Sequence, residues 1–181
     1  TPSSAPTPAP APAPAPPVPK REVVAFRSVS YGCSHGNGCI QESYLQYNWT
    51  AITTVITFTT TNISELCTTA KAHGVQVILA AGKTLNTSRL NVDDVYAKAW
   101  VANTTASVVA LRANGVAGLN LDVEHFDFPG TEATRARFTG LVCALQQSLL
   151  SQRLILHSVD TKIWGDEEHV DLQAIAKCAD Y

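Results

Sequence analysis

Residues 114–130, NGVAGLNLDVEHFDFPG, carry the side chains in this sequence best suited to chemistry. Leu119, Leu121 and Val123 alternate with Asn120, Asp122 and Glu124, so a strand here puts three apolar side chains on one face and three polar ones on the other. Parallel strands are normally apolar on both faces, because helices or barrel packing cover them. A row of Asn, Asp and Glu therefore needs a reason. Asp122 and Glu124 would stand about 6 to 7 Å apart along the strand, close enough for one ionised carboxylate to raise the pKa of the other. One carboxyl can then stay protonated as a general acid while its neighbour remains charged. The plainer alternative is a half-exposed strand whose Asp and Glu merely meet water. Against it, Asn and Asp are poor strand formers, and the flanking helical segments are long enough to bury the strand.

Such a row depends on the elements that hold it. Short β-branched runs predict strands over 22–27, 52–58, 75–80, 117–123 and 154–159, and helices are expected over 64–73, 92–113, 131–150 and 166–177. Gly74 and Gly115 are placed to end the first two helices. Strands alternating with helices imply βαβ units and a parallel sheet, leaving a doubly wound sheet or a (β/α) barrel. No glycine-rich phosphate fingerprint follows any strand, which weakens the doubly wound choice. A complete eight-stranded barrel takes about 250 residues. The expected fold is thus an α/β barrel of the (β/α)8 TIM type, incomplete, with about five strands and their helices, and with a sixth strand due to begin near Tyr181.

Nine of the ten prolines lie in the first nineteen residues, in a Pro-Ala alternation that predicts a disordered, polyproline-like linker over 1–21 ahead of the barrel segment at 22–181. The rest reads as an ordinary soluble α/β composition, 45% hydrophobic and 15% charged. A net charge of −2 offers no footprint for nucleic acid or an anionic membrane, and no apolar run is long enough to span a bilayer. Five cysteines and Asn-x-Ser/Thr sites at Asn48, Asn62, Asn86 and Asn103 lean towards a secretory route. Cys33 and Cys39, in GCSHGNGC, would close a small disulfide loop, with free thiols as the alternative.

The segment AGLNLDVE resembles the D-x-x-D-x-D-x-E signature of glycoside hydrolase family 18, the chitinase family, and most closely its di-N-acetylchitobiase branch, in which the middle Asp is also Asn. The resemblance extends to YLQYNWTAITTVITF with ELCTTAKAHGVQVILAAG, and to LILHSVDTKIW running on to AIAKCADY. It implies a substrate-assisted retaining glycosidase acting on β-1,4-linked N-acetylglucosamine oligosaccharides such as chitobiose. Glu124 would be the general acid and base, Asp122 would orient the N-acetyl group, and Asn120 would hold Asp122. No cofactor is implied, the partner is a chitooligosaccharide, the protein is expected to be a monomer, and the compartment is lysosomal or extracellular. Two departures count: the first Asp of the signature is Ala117, and residues that the family places on strands six and eight would lie beyond Tyr181. A chitooligosaccharide-binding relative without turnover is therefore the alternative.

Trp164 and Phe126 are the candidates for stacking on sugar, although Phe126 and Phe128 also suit core packing. Trp49 and Trp100 read as packing residues. His125 follows the acid but should point to the other side of the strand. Asp166, Glu167, Glu168, His169 and Asp171 are better explained by a helix N-terminus, where negative charge is favoured, than by a metal site.

Overall fold

The computed structural model describes residues 21–27, 43–161 and 170–179. The Pro-Ala linker, the Cys33–Cys39 loop, Trp164 and the acidic cluster at 166–169 lie outside the described residues. Five strands form one parallel sheet in the order β1-β2-β3-β4-β5: Val24–Arg27, Thr54–Thr57, Gln76–Ala81, Val116–Val123 and Ile155–Thr161. Strand order follows chain order without reversal, as a barrel requires and a doubly wound sheet does not. The helices are α1 (Ile63–Ala72), α2 (Thr87–Leu90), α3 (Asp94–Arg112), α4 (Glu132–Ser151) and α5 (Leu172–Ile175). Gly74 and Gly115 follow α1 and α3 with φ of 71° and 107°, the left-handed conformation that glycine enters without a Cβ penalty.

Two helices differ from the sequence expectation. The helix expected over 92–113 is preceded by a separate turn of helix, α2, because Asn86 and Asp93 each accept a hydrogen bond from a backbone N–H three residues on and so start a helix of their own. Of the helix expected over 166–177, the described residues from 170 on hold only α5, whose N-cap is Asp171, bonded to the Ala174 N–H at 3.0 Å. Beyond α5, Cys178 forms a disulfide with Cys143 of α4. Spacing alone left this pairing open. Cys67, buried on α1, has no disulfide partner among the described residues, and burial pushes its thiol up to about 11, leaving it unreactive at neutral pH.

The helices cover one face of the sheet. Leu66 and Ala70 of α1, Trp100 and Val108 of α3, and Phe138, Leu141 and Leu145 of α4 share a core with Val55, Val77, Leu119, Leu121, Val123 and Leu156 of the strands. Each buried Val, Leu or Phe among them contributes roughly 1.5 to 3 kcal/mol by leaving water. On the opposite face, Ile56 and Ile78 are also buried but stand apart from this core. That face is concave. In a flat sheet β1 and β5 would be four strand spacings apart, about 19 Å. Instead the Glu22 carboxylate, just ahead of β1, lies 2.7 Å from His157 Nε2 on β5 and accepts a hydrogen bond from Thr54 Oγ1 at 2.6 Å. The sheet is therefore curled, and this contact spans its concave side.

Burial opposes the ionised form of Glu22, but the hydrogen bonds with Thr54 and His157, with the charge on His157, outweigh it and hold the carboxyl below its ordinary 4.5. A depressed carboxyl contributes stability above pH 4.5 that is lost as pH falls through its folded value. Glu22→Gln should thus be less stable than the parent at pH 7, with the gap narrowing below pH 4.5; parallel urea titrations across that range would show it. Replacing Cys143 and Cys178 together by Ser should cost about 2 to 4 kcal/mol in urea denaturation, and an unchanged midpoint would mean that the bridge constrains nothing.

Candidate active site

The concave face of β4 is set by its alternation. Gly118, Asn120 and Asp122 point to it, and Glu124 follows the strand's last residue, Val123, and is exposed. Parity supplies the polar row, while neighbouring strands decide what it meets. A Cβ on Gly118 would overlap the Ile155 carbonyl, and a Cβ on Gly82, where φ is 140°, would overlap the Asp122 carbonyl. These two glycines let β3 and β5 close tightly on β4 at the site.

Asn120 is fully buried, and its Nδ2 donates at 2.8 Å to Ser158 Oγ and at 2.8 Å to Asp160 Oδ2, both on β5. The expected hold on Asp122 is not among its bonds. Its Oδ1 is buried without a hydrogen-bond partner among the described residues. Asp160 is the register partner of Asp122. Strict alternation along LILHSVDT would put Asp160 on the face of Leu154 and Leu156, among the helices. A register irregularity sets Leu119 opposite Leu156 but Asn120 opposite Ser158. The extra residue shifts the parity, sending Ser158 and Asp160 to the concave face. Nothing in the sequence marks that bulge, and Asp160 was not among the expected site residues.

Asp122 is half-buried, and its carboxyl is pushed above the ordinary 3.8 by burial first, then by the negative charges of Glu124 and Asp160. The segment after the strand is tied down. The Asp127 N–H donates to Thr87 Oγ1 of α2 at 2.9 Å, and Thr131 caps α4 in a capping box with Thr134. Phe126 packs edge-on against Phe128 and Phe138, with ring centroids 5.3 and 5.1 Å away, and remains half-exposed. His125 is exposed beyond the strand. Trp100 is buried, with its Nε1 bonded to Thr84 Oγ1 at 3.3 Å, and Trp49 stacks on His73.

Two further aromatic residues face the same side as Asp122. Phe26 of β1 and Phe58, one residue past β2, stack at 6.2 Å with 56% and 47% of their surface exposed, unusual for phenylalanine. The strand readings contained both, but only the pairing of β1 with β2 shows that they stack on the concave side. No group of three or more His, Cys, Asp or Glu residues among the described ones could hold a metal ion. A groove of about 360 Å³ between α3 and α4, lined by Leu90, Val101, Arg137 and Leu141, belongs to the helical layer and not to this face.

No protein-family model and no curated protein matches the chain. Solved structures do. A Group IV chitinase from Ostrinia furnacalis superposes with a TM-score of 0.68 at 14% identity, over 90% of this chain and 50% of that one. A GH18 chitinase from Cycas revoluta in complex with (GlcNAc)4 superposes with a TM-score of 0.58 at 17% identity, over 87% and 52%. A chitinase from Chromobacterium violaceum gives 0.58 at 15%, over 88% and 54%. The chain spans about half the length of these structures, and its α/β fold matches part of a TIM-type barrel.

A raised carboxyl weakens the fold once it ionises: the stability present below pH 3.8 is lost as pH rises through the folded value. Asp122→Asn should therefore be at least as stable as the parent at pH 7, with the difference vanishing towards pH 3. Urea denaturation at both pH values measures this, and a variant clearly weaker at pH 7 would mean that the carboxylate makes a stabilising contact.

Proposed function

We propose that this chain carries the acid-bearing part of a glycosidase barrel that cleaves β-1,4 bonds between N-acetylglucosamine units, in the manner of a chitinase or di-N-acetylchitobiase. The observation that carries the reading is the placement of Glu124 at the C-terminal end of β4, exposed and two residues from a half-buried Asp122 whose carboxyl is raised. That end of a parallel barrel strand is where such folds keep their chemistry. The chitinase fold of the structural neighbours supports the same reading.

In this reading the Glu124 carboxyl gives its proton to the glycosidic oxygen as the bond to the anomeric carbon breaks. The substrate's own acetamido oxygen attacks that carbon and forms an oxazolinium ion, so the protein needs no nucleophile. Asp122 faces the acetamido group and orients it for this attack. The Glu124 carboxylate then takes a proton from water, the water oxygen attacks the anomeric carbon, and the ring opens with net retention. Phe26 and Phe58 offer apolar faces on which sugar rings stack. The Cys143–Cys178 disulfide suits an oxidising compartment, and the four sequon asparagines are exposed. Both support a lysosomal or extracellular location.

A chain extended to a complete barrel should hydrolyse chitobiose or chitotriose, and Glu124→Gln should lower kcat at least a hundredfold while leaving the fold intact by circular dichroism. Hydrolysis retained in that variant would remove Glu124 as the acid. A folded parent that binds chitotriose without turnover would instead make the protein a chitooligosaccharide binder.

A further inference from the structure

Asp160 has no part in the mechanism above, yet it faces the same side as Asp122, as its register partner on the adjoining strand. Neighbouring strands lie about 4.8 Å apart, so two carboxyls at such positions do not both ionise without cost. What surrounds them decides which one keeps the proton. Asp160 Oδ2 accepts a hydrogen bond from the Asn120 amide, which is fully buried and held a second time by Ser158. A donor aimed at a carboxylate favours its charged form. Asp122 has Asp160 beside it on β5, Glu124 two residues along its own strand, and on the β3 side the backbone of Gly82, which carries no charge. Among the described residues, the groups acting on Asp122 are thus negative, while Asp160 has a buried donor.

We propose that Asp160 is a positioning residue of the site: clamped by Asn120, it keeps the negative charge of the Asp122–Asp160 pair on β5 and the proton on Asp122, so that the pair presents one fixed charge to an N-acetyl group. The raised Asp122 carboxyl agrees with this arrangement. The role towards an N-acetyl sugar rests on the function proposed above, whereas the charge arrangement does not and can be measured without substrate. Asn120, which stands where the family signature has Asp, then has a definite task. The strand lacks a carboxylate at this position, and the neighbouring strand supplies one through the amide.

Carbon-13 NMR titration of the aspartate carboxyls in the 181-residue chain tests it. In Asp160→Asn the midpoint of Asp122 should fall towards the ordinary carboxyl range. In the double variant Asn120→Asp with Asp160→Asn, which exchanges amide and carboxylate and keeps both the bond and one charge, it should rise again. A folded Asp160→Asn protein with the Asp122 midpoint unchanged would overturn the proposal. If the single variant does not fold, the double variant decides: an Asp122 midpoint in the ordinary range overturns the proposal, and a raised one supports it. In a complete barrel, Asp160→Asn should also shift the pH profile of kcat/KM to lower pH. If the unmodified barrel hydrolyses no chitooligosaccharide while the titrations behave as expected, the proposed activity falls and the charge arrangement stands.

Discussion

Strand β4 lies between β3 and β5, so both its edges are hydrogen-bonded and its two faces must be satisfied separately. One face carries Leu119, Leu121 and Val123 into the helical layer, where they share a core with Val108 of α3 and with Phe138, Leu141 and Leu145 of α4. Burial on that side anchors the strand's rotation about its own axis. Turning it over would drive Asn120 and Asp122 into an apolar core, where polar groups without partners cost several kcal/mol. The polar row is thus held on the concave side by the packing of the opposite face, and chemistry and stability share one strand without competing for the same side chains.

The concave side carries its own cost. Asp122, Glu124 and Asp160 bring three carboxyl groups together, and burial with the charges of the other two makes an ionised Asp122 costly to the fold. The structure offsets this with rigid surroundings. Gly82 and Gly118 admit close backbone approach, the Asn120 amide binds β5, and Thr87 and the Thr131 capping box fix the segment that follows the acid. Strain and like charge at a site gain meaning when the elements around them cannot relax.

Curvature links this site to the rest of the sheet. Glu22 and His157 meet across the concave side although one precedes β1 and the other lies on β5, at opposite edges of the sheet, and His157 Nδ1 in turn lies 3.0 Å from Ser158 Oγ, which receives the Asn120 amide. One polar chain therefore runs from the start of β1, through β5, to the middle of β4. The Cys143–Cys178 bridge, on the helical side, ties the turn after α5 back to α4. The two outer strands are thus each held to something besides their neighbour in the sheet.

Much of this was legible in the residues themselves. Period-two alternation separates Asn120, Asp122 and Glu124 from Leu119, Leu121 and Val123 because successive side chains on a strand must point opposite ways, and that rule is local. The same local physics located the five strands, the glycines after α1 and α3, and the start of α4 at Thr131. Asp160 escaped because a single extra residue between Leu156 and Ser158 reverses the parity of β5, and a bulge is chosen by the pairing of two strands, not by either sequence alone. The partnership of Phe26 with Phe58, the Glu22–His157 contact across 135 positions, and the pairing of Cys143 with Cys178 likewise depend on how the sheet curls and where α5 docks. The sequence by itself determined which side chains could be polar in a buried strand. Only the tertiary structure decided which of them meet, because register and curvature are properties of several strands packed together.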